Sequence, residues 1–76
     1  MSKFEKLIQK ILNGKNVSHD EVENVLLHLG FQLKIRGSHH NFRKPQYHRT
    51  LSIKRRSQLL PYQIEDLKEV LQDHGY

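Results

Sequence analysis

At Phe31 the chain changes its hydrophobic period, and that change constrains its fold more than any other feature. Phe31, Leu33 and Ile35 alternate with Gln32, Lys34 and Arg36. A period of two is that of a strand with one buried face. Gly37-Ser38 follows at once and suits a two-residue II′ hairpin turn, in which glycine supplies the positive φ of the first central position. The register then follows: Arg36 opposite His39, Lys34 opposite Asn41, and Leu33 opposite Phe42. Apolar meets apolar without adjustment.

The second strand runs from His39 to about Lys44 and stops before Pro45, which cannot donate to a ladder. A third begins near Arg49, with Leu51 and Ile53 as its apolar positions. A four-residue loop, Pro45 to His48, pairs Phe42 with Leu51, His40 with Ile53 and His39 with Lys54. The inner face then holds Phe31, Leu33, Ile35, His40, Phe42, Leu51 and Ile53. The outer face holds Lys34, Arg36, His39, Asn41, Arg43, Thr50, Ser52 and Lys54. The adjacent histidines therefore part company. His40 reads as a half-buried core residue, and His39 as an exposed one between Arg36 and Lys54.

The flanking segments are helical. Phe4, Leu7, Ile8, Ile11 and Leu12 recur at helical spacing before Asn13-Gly14. Ser18 and Glu21 form a capping box for a second helix, whose stripe is Val22, Val25, Leu26 and Leu29 and whose stop is Gly30. Arg55 to Leu60 read as a loop. Pro61 opens a last helix with the stripe Ile64, Leu67, Val70 and Leu71. The expected class is α+β, in the order α-α-β-β-β-α, with the helices on one face of a three-stranded antiparallel sheet and the other face open.

Seventy-six residues suffice for one domain with a small, mainly aliphatic core. Without cysteine there is no disulfide, thiol nucleophile or thiolate zinc site. Charges interrupt the apolar stretches near the start, so a soluble cytoplasmic protein without a membrane span is expected. Net charge is +5, and its distribution matters more than its size. Of thirteen Lys and Arg, eight lie between Phe31 and Arg56, and none of the eight Asp and Glu do. Such a run can be a plain solvated face. Freedom from acids over this length also suits a polyanion surface.

On that face His39 is the residue with chemistry. RNA carries its own nucleophile, the 2′-hydroxyl, so cleavage needs a base, charge stabilisation and positioning. An imidazole can take the proton as general base, while Arg36 and Lys54 stabilise charge on the phosphate oxygens. Hard metal cations need carboxylates, which this stretch lacks, so no metal or other cofactor is expected. His48 lies beyond Arg43, four strand residues and roughly 13 Å from His39, too far to act on the same phosphate. The proton donor stays unassigned. Tyr47, at the loop tip, is a candidate for stacking on a base or a plain loop residue. The alternative to an enzyme is a non-catalytic RNA-binding module on the same face.

The run Gly37-Ser38-His39-His40-Asn41-Phe42-Arg43-Lys44-Pro45, preceded by Gly30-Phe31 and followed by a short strand and closing helix, resembles the HicA toxins of bacterial type II toxin–antitoxin systems. The resemblance covers about residues 18–75. It implies a fold like that of a double-stranded-RNA-binding domain, ribosome-independent cleavage of mRNA, and neutralisation by a HicB-type antitoxin that covers the site. It places the catalytic histidine at His39, directly after the Gly37-Ser38 turn. Lys34, Asn41 and Arg43, on the same outer face by strand alternation, are expected among the RNA contacts. The expected organisation is a single domain, 1–76, in which residues 1–16 add a helix to the core at 18–75. The closing helix departs from the family pattern, beginning Pro61-Tyr62-Gln63-Ile64 where many members start with a Gly-Thr-Leu-like sequence.

Overall fold

A computed structural model of the chain describes residues 2–54 and 59–76. Its elements run α1 (Lys3–Leu12), α2 (His19–His28), β1 (Gln32–Arg36), β2 (His39–Arg43), β3 (Thr50–Lys54) and α3 (Pro61–Asp73). The class is α+β and the order is α-α-β-β-β-α, as the hydrophobic periods require. Of the expected loop from Arg55 to Leu60, residues 55–58 lie outside the described residues.

The strands form one antiparallel sheet in the order β1-β2-β3. Arg36 faces His39, Lys34 faces Asn41 and Leu33 faces Phe42. Across the second ladder His39 faces Lys54, His40 faces Ile53 and Phe42 faces Leu51. These are the registers derived from the Gly37-Ser38 turn and from the four-residue loop Pro45 to His48. Gly37 sits at φ 58°, while Gln46 alone among the described non-glycine residues has a positive φ. Ser38 is therefore negative, the combination that a II′ turn demands.

Each helix begins where its local chemistry allows. Ser2 caps α1 by accepting the Glu5 N–H at 3.1 Å. Ser18 and Glu21 close the capping box of α2, Ser18 Oγ accepting the Glu21 N–H at 3.1 Å and Glu21 Oε1 the Ser18 N–H at 2.9 Å. That backbone bond, with the Lys10 ammonium 3.1 Å away, holds the Glu21 carboxyl below its ordinary range and ties α1 to α2. At α3, Pro61 occupies the first turn and Gln63 Oε1 accepts the Leu60 N–H at 2.8 Å.

All three helices pack on one side of the sheet. Leu7, Ile8 and Ile11 of α1, Val22, Val25 and Leu26 of α2, and Leu67, Val70 and Leu71 of α3 meet Phe31, Phe42, Leu51 and Ile53 in a single core. Helix α1 is therefore part of the core. Two expectations need correction. Ile35 was placed among the inner residues, yet it is 57% exposed. It lies on the edge strand next to the turn, opposite His40, which α2 meets with the Glu23 carboxylate. His19, not foreseen in the stripe of α2, is buried there.

Two substitutions check this packing. Ile11→Ala leaves a cavity under α1 and is expected to cost about 2–5 kcal/mol, a large share of the stability of so small a domain. Urea unfolding measures it, and a loss under 1 kcal/mol would mean that α1 is not part of the cooperative core. Gln46 follows Pro45 at φ 66°, with the Tyr47 N–H donating to the Lys44 carbonyl at 3.1 Å, as in a type II turn. Gln46→Gly relieves the left-handed strain and should raise stability by up to about 1 kcal/mol, seen as a higher Tm.

Candidate nucleic-acid interface

The face of the sheet away from the helices is built of three cross-strand rows. Nearest the turn stand Arg36, His39 and Lys54; next come Lys34, Asn41 and Ser52; last come Gln32, Arg43 and Thr50. Neighbours within a row lie about 5 Å apart, and successive rows roughly 7 Å apart. Asn41 is half-buried and the other eight are exposed. The hairpin thus brings Arg36, His39 and Lys54 together in one row, with Lys34, Asn41 and Arg43 on the same face. Gly37 and Ser38 form the turn that aligns the row.

Charge is sorted across the sheet. All eight carboxylate side chains belong to the three helices. Glu21 pairs with Lys10, Glu23 with His40, Asp66 and Glu69 with Arg49, and Glu65 with Lys68. Among the described residues, Lys34, Arg36, Arg43 and Lys54 make no ion pair. The basic run is accordingly split. Lys44 and Arg49 turn to the helix side, Lys44 Nζ lying 2.9 Å from His74 Nε2 and Arg49 meeting α3. Arg55 and Arg56 lie outside the described residues.

His40 is half-buried, and its Nδ1 meets the Glu23 carboxylate of α2. It is a strut between sheet and helix, on the face opposite His39. Tyr47 is occupied as well. Its hydroxyl donates to Asp73 Oδ2 at 2.7 Å, and its ring meets Phe31 edge-on at 5.7 Å and His74 at 5.1 Å. Anchored to the end of α3, it is not a base-stacking side chain. Burial and the hydrogen bond to Asp73 push its phenol up to about 12. His48 lies beside it, the rings 4.8 Å apart, away from the row of His39.

Gln32 and Thr50 line a shallow concavity of about 570 Å3 on the open face, with Lys34, Arg36, Asn41 and Arg43. Gln32 was not among the expected site residues, although strand alternation two positions before Lys34 marks it. Among the described residues no three His, Asp or Glu side chains converge as a metal site would require. No helix of the described residues is long and apolar enough to cross a membrane.

A family model, described as the HicA toxin of bacterial toxin–antitoxin, matches residues 20–76. The chain belongs to the HicA toxin family. It is thus a toxin of a toxin–antitoxin system, with an antitoxin as its partner. The matched region takes in α2, the whole sheet and α3, and therefore every residue of the open face. Helix α1 precedes the region that defines the HicA match, although it shares the core. Comparison with curated proteins and with solved structures returned no match.

The Tyr47 anchor has a pH signature. Its phenol ionises at about 12 instead of the ordinary 10.0. A raised folded-state value means that its stabilisation is complete below pH 10 and is lost as pH rises through about 12. An ultraviolet titration of wild type minus Tyr47→Phe should give a midpoint near 12, and a midpoint near 10 would show the anchor to be absent.

Proposed function

We propose that this HicA-family toxin is a metal-independent endoribonuclease that cleaves mRNA on the open face, with His39 as general base. The row Arg36–His39–Lys54, free of carboxylates on its face, carries the reading. With the phosphodiester over this row, His39 takes the proton of the adjacent 2′-hydroxyl as that oxygen attacks phosphorus. The bond to the 5′-oxygen breaks, leaving a 2′,3′-cyclic phosphate and a 5′-hydroxyl that receives a proton. The Arg36 guanidinium and Lys54 ammonium offset the charge that builds on the non-bridging oxygens. Lys34, Asn41 and Arg43 hold the strand. A HicB-type antitoxin would silence the toxin by covering this face, whose unpaired cations offer it an acidic-partner surface.

One observation favours a second reading. Among the described residues no second imidazole or carboxyl group stands beside His39 as proton donor, since His48 packs on Tyr47. A non-catalytic RNA-binding module would use the same face without needing a donor. The two separate on one experiment, in which wild type and His39→Ala are expressed with and without the antitoxin and incubated with RNA in EDTA. Wild type is expected to arrest growth and yield cyclic-phosphate ends, and His39→Ala to lose about 100-fold or more of the cleavage rate. Equal toxicity and equal cleavage by the two proteins would remove His39 from the chemistry. Equal, salt-sensitive RNA binding without fragments from either would establish the binding module.

A further inference from the structure

The concavity on the open face is not centred on His39. It begins at Arg36, beside His39, and extends over Lys34 and Asn41 to the row of Gln32, Arg43 and Thr50. From His39 to Arg43 is four strand residues, roughly 13 Å. Three of its seven lining residues are cations, one is Leu33, and none is aromatic. The described aromatic rings are engaged elsewhere or sit off this face. Phe31 and Phe42 are in the core, Tyr47 is anchored on α3, and Phe4 packs with Tyr76; Tyr62 is exposed on α3 and lines a separate cleft beyond β3 with Thr50 and Ser52. Proteins that read single-stranded RNA by its bases splay those bases onto aromatic platforms. This depression has no such platform and a dense supply of donors for phosphate oxygens.

We propose that the depression is a subsite for the sugar–phosphate backbone of the RNA limb leading away from the scissile phosphate, with Lys34 and Arg43 gripping phosphates irrespective of base. It rests on the reading that His39 marks the bond cleaved. Held in this way, a flanking limb adds affinity without sequence choice, and the toxin would cut many messages at similar rates. The charge suits RNA as occupant, because four cations on this face lack a carboxylate partner among the described residues, while elsewhere the eight carboxylates are offset by seven described Lys and Arg.

Chimeric oligonucleotides with one ribonucleotide in a deoxynucleotide chain, and limbs of zero to four residues on each side, test the subsite. With wild type, kcat/KM should rise about tenfold, mainly through KM, as one limb grows to two nucleotides, with little regard to base. The exposed substitutions Lys34→Gln and Arg43→Gln together should flatten that dependence. The same rise in the double variant, or a base effect larger than the length effect, would overturn the proposal. So would chimeras that stay intact while all-RNA of the same sequence is cut, since the grip would then need the 2′-hydroxyls. If wild type cuts no RNA at all, the nuclease reading fails and binding decides. The slope of log affinity against log salt should then fall by about 0.7 for each cation removed from His39→Ala. An unchanged slope overturns the subsite, as does a loss confined to antitoxin affinity, which would assign the depression to the protein partner.

Discussion

The two-residue turn at Gly37-Ser38 is the constraint on which the rest depends. A side chain on a strand alternates strictly between faces, so a shift of one residue in pairing would carry every cation inward and every apolar group outward. The positive φ of Gly37 lets the chain reverse within two residues, and a two-residue loop sets one register of β1 on β2. From that follow the pairing of Arg36 with His39 and of Leu33 with Phe42, and the loop Pro45 to His48 then sets Lys54 beside His39 and Leu51 beside Phe42. Few residues of so short a chain determine so much.

The sheet alone could not stand in water, because a three-stranded meander has only one apolar face to bury. Three helices cover it, and the first of them, outside the region that matches the HicA family, supplies Leu7, Ile8 and Ile11 to the same core. Polar struts complete the cover at its margins. Glu23 holds His40 where β2 leaves the apolar zone, while Tyr47, Asp73, Lys44 and His74 fasten the β2–β3 loop to the end of α3. Each strut satisfies a polar group that would be costly to bury alone. These contacts all lie on the helix side, and the other face keeps its polar side chains exposed, Asn41 excepted.

Elements governed by local rules were legible in the chain itself. Capping at Ser18 and Glu21, Pro61 at the start of α3, the Gly37-Ser38 turn and both strand registers follow from residues close in sequence. What was not legible depends on contacts across the fold. The exposure of Ile35 depends on which α2 residue lies above the edge strand, and the capture of Tyr47 on where α3 ends. Nothing near His40 announces Glu23, seventeen positions earlier. At the candidate site, alternation was enough to assign residues to the open face, Gln32 included. The concavity that joins some of them needed the three-dimensional arrangement, because its shape comes from side chains on all three strands.

The placement of every carboxylate on a helix has a consequence beyond the sheet itself. With the carboxylates nearly balanced by lysine and arginine on the helix side and unpaired cations on the other, the positive charge of the molecule is concentrated on the sheet. In the field of a polyanion such a body turns before it touches, presenting the sheet and withdrawing the helices. Productive encounters would then be more frequent than a random tumble allows. That advantage fades as added salt shortens the reach of the field to a few ångströms.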